Sequence, residues 1–382
     1  MAFGIGAPGR SAQTHSSPAR DRNLADYREQ IRQITRQGLV DIMLMSASTN
    51  YQLTIAERLF ENSAVTPAAR ANDTSDVFAV RHGDFVTHPA KPFRSALLDH
   101  IQGGHVDCKP AERSLGANLG LYSCTFNNRL EDDLVTLENY KAFREEAERK
   151  GFRHFWEVFD PNAPSNLTAE QIPFFINDKI ARTLAGVAQP GRPVFLKIVY
   201  HGPKAMEELV TYDPHLVVGI LGGSSGTTYD AFKLLSEAKK YGARAALFGR
   251  KINTSECQLA FVELLRRIAE EQITAEEAVR AYHGVLSELK IKPHRSLSDD
   301  MELTTGVMSY GGNTQVSVPA GMPKAKKPDC GCHGPTKTEC GCHGKPAKAE
   351  PESAAAKTDF TKMTVAEKLA WNKAKRDRIF GS

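Results

Sequence analysis

The feature that most constrains the fold is an ordered alternation in the second half of the chain. Pro193-Val194-Phe195-Leu196-Lys197-Ile198-Val199-Tyr200 is apolar or ring-bearing at nearly every position, as in strands covered on both faces. Leu216-Val217-Val218-Gly219-Ile220-Leu221 repeats the pattern and ends in Gly222-Gly223-Ser224-Ser225-Gly226. Tyr229 to Tyr241 has helical spacing, and a third strand, Ala243 to Phe248, ends in Gly249-Arg250. Strand, glycine loop, helix, strand, glycine loop is a βαβ unit, which requires a parallel sheet with helices packed on it.

The rest of the chain extends the pattern. An amphipathic helix is predicted at 23–37, placed to cover the bottom of a barrel and stopped by Gly38. Strand 1 is predicted from Leu39 to Met45, with the next helix from Thr54. Strand 4 is Leu119 to Thr125 and strand 5 is Arg153 to Phe159, with a helix from Asn139 to Lys150 between them. Strands 2 and 3 have no clear signal, although Ala64-Val65 and Val77-Phe78-Ala79-Val80 are candidates. Helices are expected at 168–187, Glu256 to Glu271 and Ala275 to Leu289. The predicted fold is α/β: a (β/α)8 barrel over residues 23–309, preceded by a flexible arm at 1–22.

Lys197 is the one charged residue in its strand. Burial disfavours an ammonium, so such an amine tends toward the neutral, nucleophilic form. The two glycine loops allow backbone N–H groups to approach an anion, and Arg250 adds a fork of donors. A buried amine one strand before a phosphate cradle points to imine chemistry on a phosphorylated carbonyl compound.

At this point the motifs Phe155-Trp156-Glu157-Val158-Phe159-Asp160, Leu196-Lys197-Ile198, Gly222-Gly223-Ser224 and Gly249-Arg250-Lys251-Ile252 occur in an order that resembles class I aldolases. The resemblance is to the branch of archaeal-type fructose-bisphosphate and tagatose-bisphosphate aldolases, over roughly residues 150–255. It implies that Lys197 is the Schiff-base lysine and that Glu157 moves protons. It also implies that Gly222, Gly223, Ser224, Gly249 and Arg250 hold phosphate, with no cofactor required. Tyr200, near the same strand end, is a second proton-transfer candidate. The family's aspartate at the end of strand 1 is missing: Met45-Ser46-Ala47-Ser48-Thr49-Asn50 offers hydrogen bonds but no base. Either another residue, such as Asp73 or Asp84, takes its place, or the substrate differs from the family's. The competing readings are a structural Lys197–Glu157 ion pair, a phosphosugar isomerase, and a non-catalytic barrel acting as a scaffold cargo protein. His82, His105, His154 and His201 have no metal-ligand spacing and read as packing or surface residues, His201 being near enough to the strand end to touch substrate. Asp299-Asp300 reads as a solvated helix start.

Composition changes after residue 310. Residues 310–361 form a Gly-, Pro-, Lys- and Ala-rich linker, and residues 362–382 an amphipathic helix. The segment 323–382 carries 13 Lys/Arg against 7 Asp/Glu, so it holds +6 of a chain total of +4 and leaves −2 on the remainder. The main domain therefore has no nucleic-acid footprint. Within the linker, Cys330, Cys332 and His333 are repeated as Cys340, Cys342 and His343. Four thiols and two imidazoles suit zinc or another soft metal. The terminal helix resembles the encapsulation peptides of bacterial microcompartments, which implies docking on a shell protein by helix-in-groove packing. Without an 18-residue apolar stretch or a signal-like start, the expectation is a cytoplasmic protein, possible cargo of a microcompartment, and a homo-oligomer.

Overall fold

The computed structural model describes residues 9–223 and 226–304, together with Glu367, Ala370 and Ala374, which are helical and exposed. Ser224, the Cys/His repeat (Cys330 to His343) and nearly all of the linker and terminal helix lie outside the described residues.

Seven parallel strands form one sheet: β1 (Ile42–Met45), β2 (Thr66–Arg70), β3 (Leu119–Thr125), β4 (Arg153–Phe159), β5 (Leu196–Ile198), β6 (Val218–Leu221) and β7 (Ala245–Leu247). They are hydrogen-bonded in chain order, and among the described residues no ladder joins β7 to β1. The expected eighth strand is absent from this sheet because the span between β1 and β3 supplies one strand instead of two. Val77 to Val80 is not extended into the ladder: Val77 N and Phe78 N both donate to Thr74 O (each 3.1 Å), closing a turn. A two-residue antiparallel pair, Asp73–Thr74 with Pro92–Phe93, stands apart from the main sheet.

The sheet curls around its own contents. Ala68, Leu119, Leu121, Phe155, Phe195 and Val217 form one buried cluster, against which Ile42, Leu44, Ala245 and Leu247 pack. All seven strand segments thus converge on one interior. Residues of opposite parity, such as Tyr122, Trp156, Leu196, Ile198, Val218 and Ile220, belong to a second cluster under the helices. That outer layer is aromatic: Tyr140 stacks on Trp156 at 4.6 Å and Tyr122 on Phe143 at 4.4 Å.

Helices follow the strands: α1 (Leu24–Gln37), α2 (Leu130–Arg149), α3 (Ile172–Ala185), α4 (Pro203–Tyr212), α5 (Thr228–Lys240), α6 (Gln258–Ala269) and α7 (Ala275–Glu288). The α1 start is a capping box, with Asn23 Oδ1 accepting from Asp26 N (2.9 Å) and Asp26 Oδ2 from Asn23 N (3.0 Å). Gly38 ends it with φ +70°. This helix does not cover a barrel bottom. Ile31 packs with Met45, Leu53, Phe60 and Val65, and Met43 joins them, so α1 lies on the outer side of β1. It helps bridge the β7–β1 gap: Gln37 Nε2 donates to Leu259 O (2.8 Å), and Arg266 of α6 pairs with Asp41 (3.0 Å). Residues 9–22 rest on the same side, where Arg22 donates to Asn253 O (2.7 Å) and Thr14 bridges Ile291.

Candidate functional site

Strand register places Ser123 opposite Glu157, Glu157 opposite Lys197, and Lys197 opposite Gly219. These four residues form one level across β3 to β6, one pleat above the apolar cluster of Phe155 and Phe195. A Cβ on Gly219 would lie 2.7 Å from Leu196 O and 2.9 Å from Ala245 Cβ, so packing there admits glycine alone. The position beside Lys197 therefore has no side chain.

Lys197 Nζ touches Glu157 Oε1. The carboxylate is fully buried and the lysine side chain is 8% exposed. Ser123 Oγ donates to Glu157 Oε2 (2.6 Å), and Arg70 donates to Ser123 Oγ (3.2 Å). The Arg70 guanidinium also stands 3.7 Å from Glu157 and 3.6 Å from Asp73. Burial pushes the Lys197 ammonium below its usual range; Glu157 opposes this, while the positive charges of Arg70 and Arg250 add to it. Burial likewise raises the Asp73 and Asp76 carboxyls. Asp76 accepts from Thr125 Oγ1 (2.9 Å), one pleat above Ser123.

The expected site residues do not all meet. Lys197 and Glu157 come together, and the charge of Arg250 is felt at Lys197. Tyr200 does not join them. It belongs to the outer cluster with Leu196, Ile198, Met206 and Leu209, on the helix side of the sheet. Its parity decides this: Phe195, Lys197 and Val199 face the interior clusters, and Tyr200 faces away. Burial then raises its phenol, in an environment that includes Glu207 and Glu237.

The glycine loops are partly committed to structure. Gly222 N donates to Leu247 O (2.9 Å), and a Cβ on Gly222 would lie 2.2 Å from the Phe248 ring. Gly222 is thus needed for packing, and its N–H belongs to the chain. Gly223 has φ +63°, the left-handed region that favours glycine. Gly249 precedes a short helix, Arg250–Thr254, and the space beside its Cα is open. The start of α5 is filled from within: Thr228 N donates to Asp300 Oδ1 (2.7 Å), and Thr227 N to Asp230 Oδ2 (2.7 Å). Asp300 is accordingly buried, correcting the expectation that it is solvated. It also pairs with His283 (3.0 Å).

At the end of β1, Ser46 is a helix cap for Ala47–Asn50, accepting from Thr49 N (3.2 Å). The chain turns into helix there, earlier than the expected start at Thr54. Asn50 is a strut: Nδ2 donates to Ile101 O (2.8 Å) and Oδ1 accepts from Ala117 N (3.1 Å). His154 is packing, as expected. It bonds Tyr140 Oη (2.9 Å), and burial lowers its pKa to about 3. His201 pairs with Asp160 at 2.9 Å.

Two cavities bear on the Lys197–Glu157 pair, one lined by Lys197 and the other by Arg70, which stands 3.7 Å from Glu157. One of about 610 Å³ lies along the β7–β1 gap and reaches Lys197, Phe248 and Gly249. The other, about 490 Å³, lies at the ends of β1 and β2 and is lined by Ser46, Ser48, Arg70, Asn72, Asp73 and His100. The sequence reading missed Arg70 and Ser123. Ser123 had a signal, a small polar side chain at an inward position of an otherwise apolar strand. Arg70 had none, because Thr66-Pro-Ala-Ala-Arg carries few strand-forming residues.

No family model matches the sequence, and no curated protein matches it. Solved structures do. A fructose-bisphosphate aldolase from Slackia heliotrinireducens is similar at 14% identity, with a TM-score of 0.50, over 69% of this chain and 79% of that one. An archaeal fructose 1,6-bisphosphate aldolase is similar at 16% identity and TM-score 0.46, covering 63% and 82%. A Schiff-base-forming fructose-1,6-bisphosphate aldolase is similar at 17% and 0.47, covering 64% and 86%. The likeness is one of fold. Among the described residues no helix is long and apolar enough to cross a membrane, and no His, Cys, Asp and Glu cluster could hold a metal ion.

Proposed function

We propose that the chain is a class I aldolase, or a closely related carbon–carbon lyase, acting on a phosphorylated ketose. One observation carries the reading: a buried amine in contact with a fully buried carboxylate, on adjacent parallel strands, beside a cavity that runs to Gly249. The Lys197 amine adds to the substrate carbonyl, giving a carbinolamine that loses water to form an iminium. The hydroxyl on the departing carbon then gives up its proton, the carbon–carbon bond breaks, and its electron pair flows into the iminium as an enamine. Protonation of the enamine carbon and hydrolysis of the imine restore the amine. Glu157 receives the lysine proton and returns it to the hydroxyl that leaves as water; the freed carboxylate then takes the alcohol proton at carbon–carbon cleavage and returns it to the enamine carbon. Ser123 fixes the orientation of that carboxylate. Arg250 and the Gly223 and Gly249 backbone hold the phosphate, with Ser224 completing the set. No cofactor takes part. A complete (β/α)8 barrel is part of the same proposal, as are a soft-metal site at Cys330, Cys332, His333, Cys340, Cys342 and His343 and docking of the terminal helix on a microcompartment shell protein.

The test is reductive trapping. Dihydroxyacetone phosphate with sodium borohydride should add the reduced donor's mass to a peptide containing Lys197, and Lys197→Met should show none. Absence of an adduct across a panel of phosphorylated donors, or an adduct that survives Lys197→Met, overturns the reading. One set of observations favours the rival, a structural ion pair in a non-catalytic barrel: the Gly222 N–H and the α5 start are already satisfied by Leu247, Asp230 and Asp300. The same trapping separates the two.

A further inference from the structure

The 490 Å³ cavity at the ends of β1 and β2 has no role in the reaction so far, and its charge is informative. Arg70 is the one Lys or Arg among its lining residues, and the guanidinium is flanked by two acids, Asp73 at 3.6 Å and Glu157 at 3.7 Å. It also donates to Ser123 Oγ and to Asn72 O (3.4 Å). The remaining polar lining is hydroxyl, amide and imidazole: Ser46, Ser48, Tyr51, Asn72, Ser95 and His100. The Asn72 amide is itself committed, with Nδ2 on Ser123 O (2.8 Å) and Oδ1 on Ser123 N (2.7 Å). A second phosphate placed here would meet Asp73 and a cation already shared between two carboxylates, whereas hydroxyl groups would meet donors and acceptors of matching strength. Arg70, in the wall of this cavity, stands 3.7 Å from Glu157, which touches Lys197, and Lys197 borders the other cavity.

We infer that this cavity is the acceptor subsite: it takes an uncharged, hydroxyl-bearing aldehyde, with Asp73 receiving a hydrogen bond from a substrate hydroxyl, so that the substrate carries one phosphate and that on the donor half. The inference rests on the Schiff-base reading above. Burial raises the Asp73 carboxyl, and a hydrogen bond from a substrate hydroxyl would offset part of the desolvation behind that shift. Asp73 would then supply the acidic group that the β1 end lacks. Asp84, the other candidate from the sequence, is exposed and is not among the lining residues of this cavity.

The experiment measures aldol addition of dihydroxyacetone phosphate to glyceraldehyde, to glyceraldehyde 3-phosphate and to propanal, with borohydride trapping on Lys197 as a control. The expected result is a kcat/KM for glyceraldehyde at least about tenfold above that for its phosphate, and above propanal by a similar factor. Asp73→Ala should erase the preference for glyceraldehyde over propanal. Ser48→Lys, at an exposed wall position, should raise kcat/KM for the phosphorylated aldehyde. A wild type that prefers the phosphorylated aldehyde overturns the inference, as do two variants that leave both ratios unchanged, and in either case a trapped Lys197 leaves the Schiff-base reading standing. Failure to trap Lys197 removes both.

Discussion

Two levels of the interior sit one pleat apart and have opposite chemistry. The lower level, Leu121, Phe155, Phe195 and Val217, is a hydrocarbon plug. The upper level, Ser123, Glu157 and Lys197, is a hydrogen-bonded ionic row. The same strand segments, β3 to β6, run through both, with Gly219 above Val217, so backbone geometry cannot distinguish them. The difference lies in side chains two residues further along each strand. A plug stabilises by excluding water, and the row above inherits that dryness, which pushes the Lys197 ammonium below its usual range. The fold and the proposed chemistry are therefore coupled through a single layer of contacts.

The comparison can be broken most sharply at Lys197. Lys197→Met should lower turnover by about 10⁴-fold and abolish trapping, while leaving Glu157 buried against a thioether. Adding Glu157→Gln should restore part of the stability lost, measured by denaturant midpoint, because it removes an uncompensated charge. In the wild type, trapping should become faster as pH rises through an amine midpoint lower than 10.5, since burial lowers the Lys197 pKa. Next comes the plug: Phe155→Ala should cost about 3–5 kcal/mol of stability, with Lys197 still trappable in the folded fraction. If trapping also disappears in fully folded Phe155→Ala, water has reached the row, and the coupling between levels is stronger than a cavity argument requires. Ser123→Ala removes one charge-assisted hydrogen bond from Glu157 and should cost about 1.5–3 kcal/mol, seen mainly in kcat. The smallest expected effect belongs to the outer layer. His154 stays neutral when folded down to about pH 3, but in the unfolded chain it takes a proton below about 6.5. The unfolded state then binds more protons, so stability should fall as pH drops below about 6.5, by up to about 1.4 kcal/mol per pH unit. His154→Gln should flatten that slope between pH 6.5 and 5.

Much of this arrangement was legible in the sequence because apolar strands and glycine punctuation are local signals. Lys197 stood out as a charge within hydrocarbon, and α3, α5, α6 and α7 were found near their observed positions, whereas α2 begins at Leu130 instead of Asn139 and α4 was not anticipated. The limits were equally physical. β2 contains Pro67, tolerated because pairing with β3 is confined to Ala69 and Arg70, and its two alanines carry little strand preference. Arg70, placed by that strand, was hidden with it. Tyr200 was lost to parity: a residue three places after an inward lysine points outward, a consequence of the two-residue period of any strand. Gly222 looked like a phosphate glycine, and only the Phe248 ring beside it reveals a packing demand. Asp300 gave no hint that a segment 72 residues on would cap Thr228.

The gap between β7 and β1 has its own consequence. Six neighbouring strand pairs are fastened by backbone ladders, whereas among the described residues the two ends of the sheet are linked by side chains, such as Arg266 on Asp41 and Gln37 on Leu259. A curled sheet whose ends are joined by side chains loosens there first. Amide hydrogen exchange should be fastest along β1 and β7 and slowest on β3 and β4, and Asp41→Ala should widen that contrast. The cavity that reaches Lys197 runs along this same gap, so the least fastened margin of the sheet is also its doorway.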